Sequence, residues 1–234
     1  MRALQQVEAS ISSRKGGFAL FAAFLPSDGL DQWDLVVSAP WARRDDRIAL
    51  DIIRDELAAA GLDERDAMLL GRIVVVETWH PDVQEINARV DVEHGLVSIT
   101  NETHFGYVAE RGYIMTSQDS WLFLKRVFPQ SDFAFYTRDG NLRIRISWHL
   151  GDDPSRPFRR SRNIILAITE EALDILFSED PHRRTDAEQK LAAFVADRKK
   201  TFDPSHDAPA SATPPREKWP VTPELFRRPA AAVG

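Results

Sequence analysis

Residues 77–95 read ETWHPDVQEINARVDVEHG and bring Glu77, His80, Asp82, Glu85, Asp91, Glu93 and His94 into one short span. Imidazole nitrogens with carboxylate oxygens suit zinc or manganese, and a cation so held can activate water. His80 and Asp82 fall just past a predicted strand over 72–78, where open sheets often place ligands. The candidate metal set is therefore His80, Asp82, Glu93 and His94, with His80 and Asp82 as the candidate catalytic pair.

The same residues have a plainer reading. Pro81 suits the first position of a helix, Asp82 and Glu85 complement its positive end, and Val83, Ile86 and Val90 make its apolar stripe. DVEHG then turns into LVSIT, with Gly95 supplying an unusual backbone angle. If Asn101 and Glu102 form a two-residue turn, His104 pairs with Ile99 and faces the side of the sheet opposite His94. With no HxxxH or HxH spacing present, the sequence favours a solvated helix over a metal site.

A second cluster carries cations. PSRPFRRSRN (154–163) holds Arg156, Arg159, Arg160 and Arg162, and Arg143 and Arg145 project from the outer face of the preceding strand. Guanidinium groups grip phosphate bidentately, so these six form a candidate surface for a nucleotide or nucleic acid. The competing reading is a solvated loop whose charge offsets nearby acids.

The third cluster is apolar. Trp219, Leu225 and Phe226 stand among prolines in WPVTPELFRR, where a disordered segment has no core to bury them. They are expected to dock, on another protein or back on their own domain.

Composition narrows the field. The 234 residues are 43% hydrophobic and 28% charged, which describes a folded chain with a substantial core. No cysteine is present, so disulfides, thiolate nucleophiles and zinc fingers are excluded, and any metal must sit on His, Asp and Glu. A net charge of -6 gives no global attraction to polyanions. Residues 1–128 carry 13 Lys and Arg against 20 Asp and Glu, while 129–202 carry 13 against 12, so a basic patch belongs to the second stretch. No apolar run reaches the roughly 20 residues of a membrane span, and the first residues lack the apolar block of a signal peptide, so a cytoplasmic location is expected. P-loop, GxGxxG, HExxH and GxSxG signatures are missing; no organic cofactor is expected, and a divalent metal is the one alternative.

Several elements follow from pattern. GFALFAAFLP and QWDLVVSAP are buried strands, and RIALDIIRDELAAAG is a helix with Ile48, Ile52, Ile53 and Leu57 inward and Gly61 past its end. RIVVVET, an unbroken β-branched run, fits a strand covered on both faces. LVSIT, HFGYV and RGYIMTS continue as a meander. Asp139-Gly140 is a hairpin turn that pairs Phe135 with Ile144, Phe133 with Ile146 and Tyr136 with Arg143. NIILAI is a strand, and Thr169 caps the helix after it.

The fold expected is α+β: a mixed, largely antiparallel sheet with flanking helices and a disordered Pro/Ala-rich C-terminal tail. Its parts are 1–128, a mixed-sheet region; 129–202, a hairpin-strand-helix-helix unit; and 203–234, the tail. The function expected is a non-enzymatic cytoplasmic binding or regulatory protein with a docking tail, its partner another protein. The alternative is a metal-dependent hydrolase or nuclease acting on a phosphate-bearing substrate.

Overall fold

Apolar runs punctuated by Gly, Pro and Asp become central strands. The computed structural model describes residues 1–27, 31–43, 45–61, 69–150, 160–201 and 216–227, with backbone alone at 148–150, 160–162, 200–201 and 216. The stretch DERDAMLL, whose sequence suits a short helix, lies mostly outside them. The chain forms two units, Met1–Ser120 and Trp121–Gly234. Both are mixed α+β, and the division falls eight residues before the expected boundary.

The first unit runs α1 (Arg2–Lys15), β1 (Leu20–Pro26), β2 (Trp33–Ser38), a 3-10 turn (Pro40–Ala42), α2 (Asp46–Ala59), β3 (Leu70–Val75), α3 (Pro81–Arg89), β4 (Val97–His104) and β5 (Tyr107–Ser117). Its sheet has the order β3-β2-β1-β5-β4, with β2 and β3 parallel and the other pairs antiparallel. Strand alternation divides the apolar residues between two layers. Leu4, Val7 and Ile11 of α1 and Ala49, Ile53 and Leu57 of α2 pack with Phe21, Leu35, Val37 and Met115. On the other layer Val83 and Ile86 of α3 pack with Ala22, Phe24, Val36, Ile99 and Ile114.

Two expectations are corrected here. Ile48 is 59% exposed, because the stripe of α2 runs through Ala49, Ile53 and Leu57 at four-residue steps. The second correction is confined to one end of β3: its 73–75 stretch is covered on both faces as expected, Ile73 and Val75 packing against one core and Val74 against the other, but it is an edge strand whose Gly71 and Arg72 are exposed.

The second unit runs α4 (Leu122–Val127), β6 (Asp132–Arg138), β7 (Asn141–Leu150), β8 (Arg160–Ile168), α5 (Glu170–Leu176), α6 (Pro181–Thr201), β9 (Arg216–Val221) and α7 (Pro223–Arg227). Its sheet order is β6-β7-β8-β9, with β8 and β9 parallel. The hairpin register is the one that turn chemistry dictates: Phe133 faces Ile146, Phe135 faces Ile144 and Tyr136 faces Arg143. Asp139 and Gly140 take φ 53 and 71, the paired positive angles of a two-residue turn matched to strand twist. Thr169 accepts a hydrogen bond from the Ala172 N–H and so caps α5. Leu142, Ile144, Ile146, Ile164, Leu166 and Ile168 are buried on one side of this sheet.

The tail is partly ordered. Residues 216–227, inside the segment expected to be disordered, form β9 and α7, and residues 202–215 and 228–234 lie outside the described residues. β9 pairs with β8, placing Trp219 beside Leu166 and Val221 beside Ile168, and both are buried. The apolar side chains that are anomalous in a tail supply a fourth strand's inner face.

Candidate metal centre

α3 opens as its sequence requires. Pro81 takes the first helical position and His80 is the N-cap, its Nδ1 accepting from the Asp82 N–H at 3.3 Å. Asp82 Oδ2 accepts from the backbone N–H of Phe105 at 2.8 Å, tying the start of α3 to the turn after β4. Glu85 follows one helical turn later, on the same face. Asp82, Glu85 and His104 each offer one ligand atom, and these atoms lie within 4.8 Å of one another.

His104 is the buried member, 1% exposed, with its ring 6.1 Å from that of Phe24. Its Nε2 is 3.0 Å from Glu102 Oε2, and Glu102 also pairs with Arg89. Burial opposes ionisation of Glu102, but hydrogen bonds from Arg89 and His104 outweigh it and hold the carboxyl below its ordinary range. A carboxylate only accepts, so Nε2 is the ring nitrogen that donates to Glu102 and Nδ1 is the one left over. That Nδ1 is buried and has no hydrogen-bond partner.

The expected turn at Asn101 and Glu102 is replaced by one further on. β4 continues to His104, which pairs with Tyr107, and the turn is Phe105-Gly106 with φ 53 and 83. Asn101 takes φ 54, and the alternation shifts there: Ile99 is buried, Thr100 and Asn101 are both exposed, and His104 is buried again. β5 makes the matching shift, with Glu110 and Arg111 both exposed and its pairing to β1 slipping between Leu25 and Pro26. This paired irregularity sets His104 on the α3 side of the sheet.

His94 is engaged elsewhere. Its Nδ1 lies 2.7 Å from Oε2 of Glu8, a fully buried carboxylate on α1. Glu8 Oε1 accepts from the hydroxyls of Thr116 at 2.8 Å and Ser12 at 2.9 Å, so the buried charge is surrounded by donors. The hydrogen bond to Glu8 raises the His94 pKa above its ordinary value, burial opposing it in part. His94 takes φ 53, in the left-handed region where histidine is enriched.

Of the expected metal set, then, Asp82 joins Glu85 and His104, whereas Glu93 and His94 do not join them among the described residues. His80 stays at the margin, its Nδ1 3.6 Å from Asp82 Oδ2 and its ring 5.3 Å from that of Phe105. Sequence reasoning set His104 aside and passed over Glu8. A signal for Glu8 was present, since it interrupts the Leu4, Val7, Ile11 stripe of an amphipathic helix.

The other candidates separate as well. Arg143 and Arg145 lie on the outer side of β7, opposite the buried Leu142, Ile144 and Ile146. Arg156 and Arg159 lie outside the described residues, as do the side chains of Arg160 and Arg162, whose backbones belong to β8. Trp219 and Phe226 are buried within the second unit and Leu225 is half-buried, so Trp219 and Phe226 serve its core in place of a partner.

What fold and site define together is a chain of two mixed α+β units, the first holding a carboxylate-imidazole cluster. No family model matches the chain, nor does any curated protein or solved structure. Among the described residues, no helix is long and apolar enough to cross a membrane.

Proposed function

We propose that the protein is a cytoplasmic, non-enzymatic binding module whose first unit holds a divalent transition-metal cation on Asp82, Glu85 and His104. The observation that carries this reading is the cluster of ligand atoms from Asp82, Glu85 and the buried His104, whose Nδ1 has no hydrogen-bond partner. A buried acceptor left without a partner costs about 1–3 kcal/mol, and coordination to a cation removes that cost. The Glu102–His104 pair supports it further: a carboxylate that fixes one ring N–H turns the opposite lone pair to a metal and raises its basicity.

One imidazole and two carboxylates favour manganese, iron(II) or zinc over the all-oxygen preference of calcium and magnesium. Asp82 spends Oδ2 on the Phe105 N–H and keeps Oδ1 for a cation. Glu85 is exposed enough to swing inward, although Arg89, 3.7 Å away, competes for it. Titrating metal-free protein with Mn2+ and Zn2+ by calorimetry should show one site that disappears in the double variant Asp82→Asn, Glu85→Gln. An equal heat in the variant would remove the reading.

A second reading has its own support. Three protein ligands leave coordination positions for water and substrate, which suits metal-dependent hydrolysis of a phosphate-bearing substrate. Metal-stimulated cleavage of an activated phosphodiester, abolished by the same double variant, would favour the hydrolase; metal binding without turnover favours the module.

A further inference from the structure

The outer side of the second unit's sheet presents a composed surface. Backbone register aligns Tyr136, Arg143, Ala167 and Pro220 in one row across the four strands, and Ala134, Arg145, Ile165 and Lys218 in the next. Arg145, Lys218 and Tyr136 are exposed, and Arg143 is half-buried. Neither arginine nor Lys218 forms an ion pair with a described residue. Asp132, at the far end of β6, is the described acid on this side.

Cations without an ion pair among the described residues, on a chain of net charge -6, are a local exception to its overall sign. Arg143 and Arg145 stand two residues apart on one strand, about 7 Å, and Lys218 lies two strands from Arg145, about 10 Å. Between and beside them lie apolar positions, the half-buried Ala134 and Ile165 and the exposed Pro220, with Ala167 buried, and one exposed aromatic ring, Tyr136. Cations that track a backbone, set around a ring on a sheet face, match a single nucleic-acid strand, whose bases stack while its phosphates pair. An acidic protein surface would find the charges but have no use for the stacking ring.

We infer that this sheet face binds single-stranded nucleic acid, with Arg143, Arg145 and Lys218 holding phosphates and Tyr136 stacking on a base. The site is distinct from the metal cluster of the first unit and does not depend on it.

The test is fluorescence anisotropy of the full chain with labelled 20-nucleotide oligo(dT) and oligo(U). Binding should weaken with salt at a log–log slope of about -2, the value for three cations on a single strand. Arg143→Glu with Arg145→Glu should lower affinity at least tenfold, and Tyr136→Ala should lower it several-fold while leaving the salt slope unchanged. Thermal melting of each variant should match the parent, because the altered side chains lie on the outer face. Absence of binding at low salt, equal binding by the double-glutamate variant, or equally tight binding to polyglutamate would each overturn the assignment.

Discussion

Glu102 and His104, two residues apart on β4, are joined through Oε2 and Nε2 at 3.0 Å, and this contact determines what the rest of the imidazole can do. With Glu102 accepting hydrogen bonds from Arg89 and His104, Nε2 is committed as the donor and Nδ1 is the ring nitrogen left without a partner. On the proposed reading, metal affinity in the first unit should therefore depend on a residue that is not a ligand.

Glu102→Gln tests that dependence. A neutral amide can donate as well as accept, so it no longer dictates the tautomer, and affinity for Zn2+ or Mn2+ should fall about 10–100-fold. Calorimetry reads the loss. Unchanged affinity would mean that Glu102 serves only Arg89.

Asn101 carries the phase shift that turns His104 inward. Asn101→Gly should leave stability and metal affinity near the parent, whereas Asn101→Val, poorly suited to φ 54, should cost about 1–2 kcal/mol in chemical denaturation and weaken metal binding with it. Equal behaviour of the two variants would show that the backbone angle has no part in placing the ring.

The Glu8–His94 pair predicts a pH dependence. The folded state binds the His94 proton more tightly than the unfolded chain does, so the stability it contributes is complete below about pH 6.5 and is lost as pH rises through the elevated folded value. Glu93 adds to the same shift. Because the His94 side chain is 48% exposed, solvent screens the effect, and the expected size is about 1 kcal/mol. Comparing His94→Gln with the parent by thermal melting from pH 5 to 9 should give a gap that is widest at the acid end. A gap constant with pH would contradict the ion pair.

Trp219 closes the second unit's core. Trp219→Ala should destabilise that unit by about 3–5 kcal/mol, and ending the chain after residue 215 should do at least as much harm, since β9 and α7 go with it. Unfolding followed by far-UV circular dichroism reads both. A truncated chain with parent stability would return the segment to the role of a partner-binding tail.

Local chemistry was legible in the sequence wherever one short stretch carried all the information. Asp139-Gly140 defines its turn and thereby its register, and Pro81 defines the start of α3. His104 was legible only as to its side, shared with Ile99 and opposite His94; its true turn was not, because β4 runs on to His104 while Asn101 and Glu110, in different strands, slip together. Nor was β9: a Pro- and Ala-rich context hides a strand whose pairing partner, Leu166, lies 53 residues earlier. Of the cluster Asp82, Glu85 and His104, only Asp82 was in the expected metal set, for the same reason. Asp82 and Glu85 follow from helical spacing, whereas their partner arrives from another element.

The most direct test of the cation site is anomalous scattering from crystals of the protein grown with Zn2+. The account predicts one peak about 2.0–2.1 Å from His104 Nδ1, within bonding distance of Asp82 and Glu85. A peak at His94, or no peak between α3 and the end of β4, would contradict it.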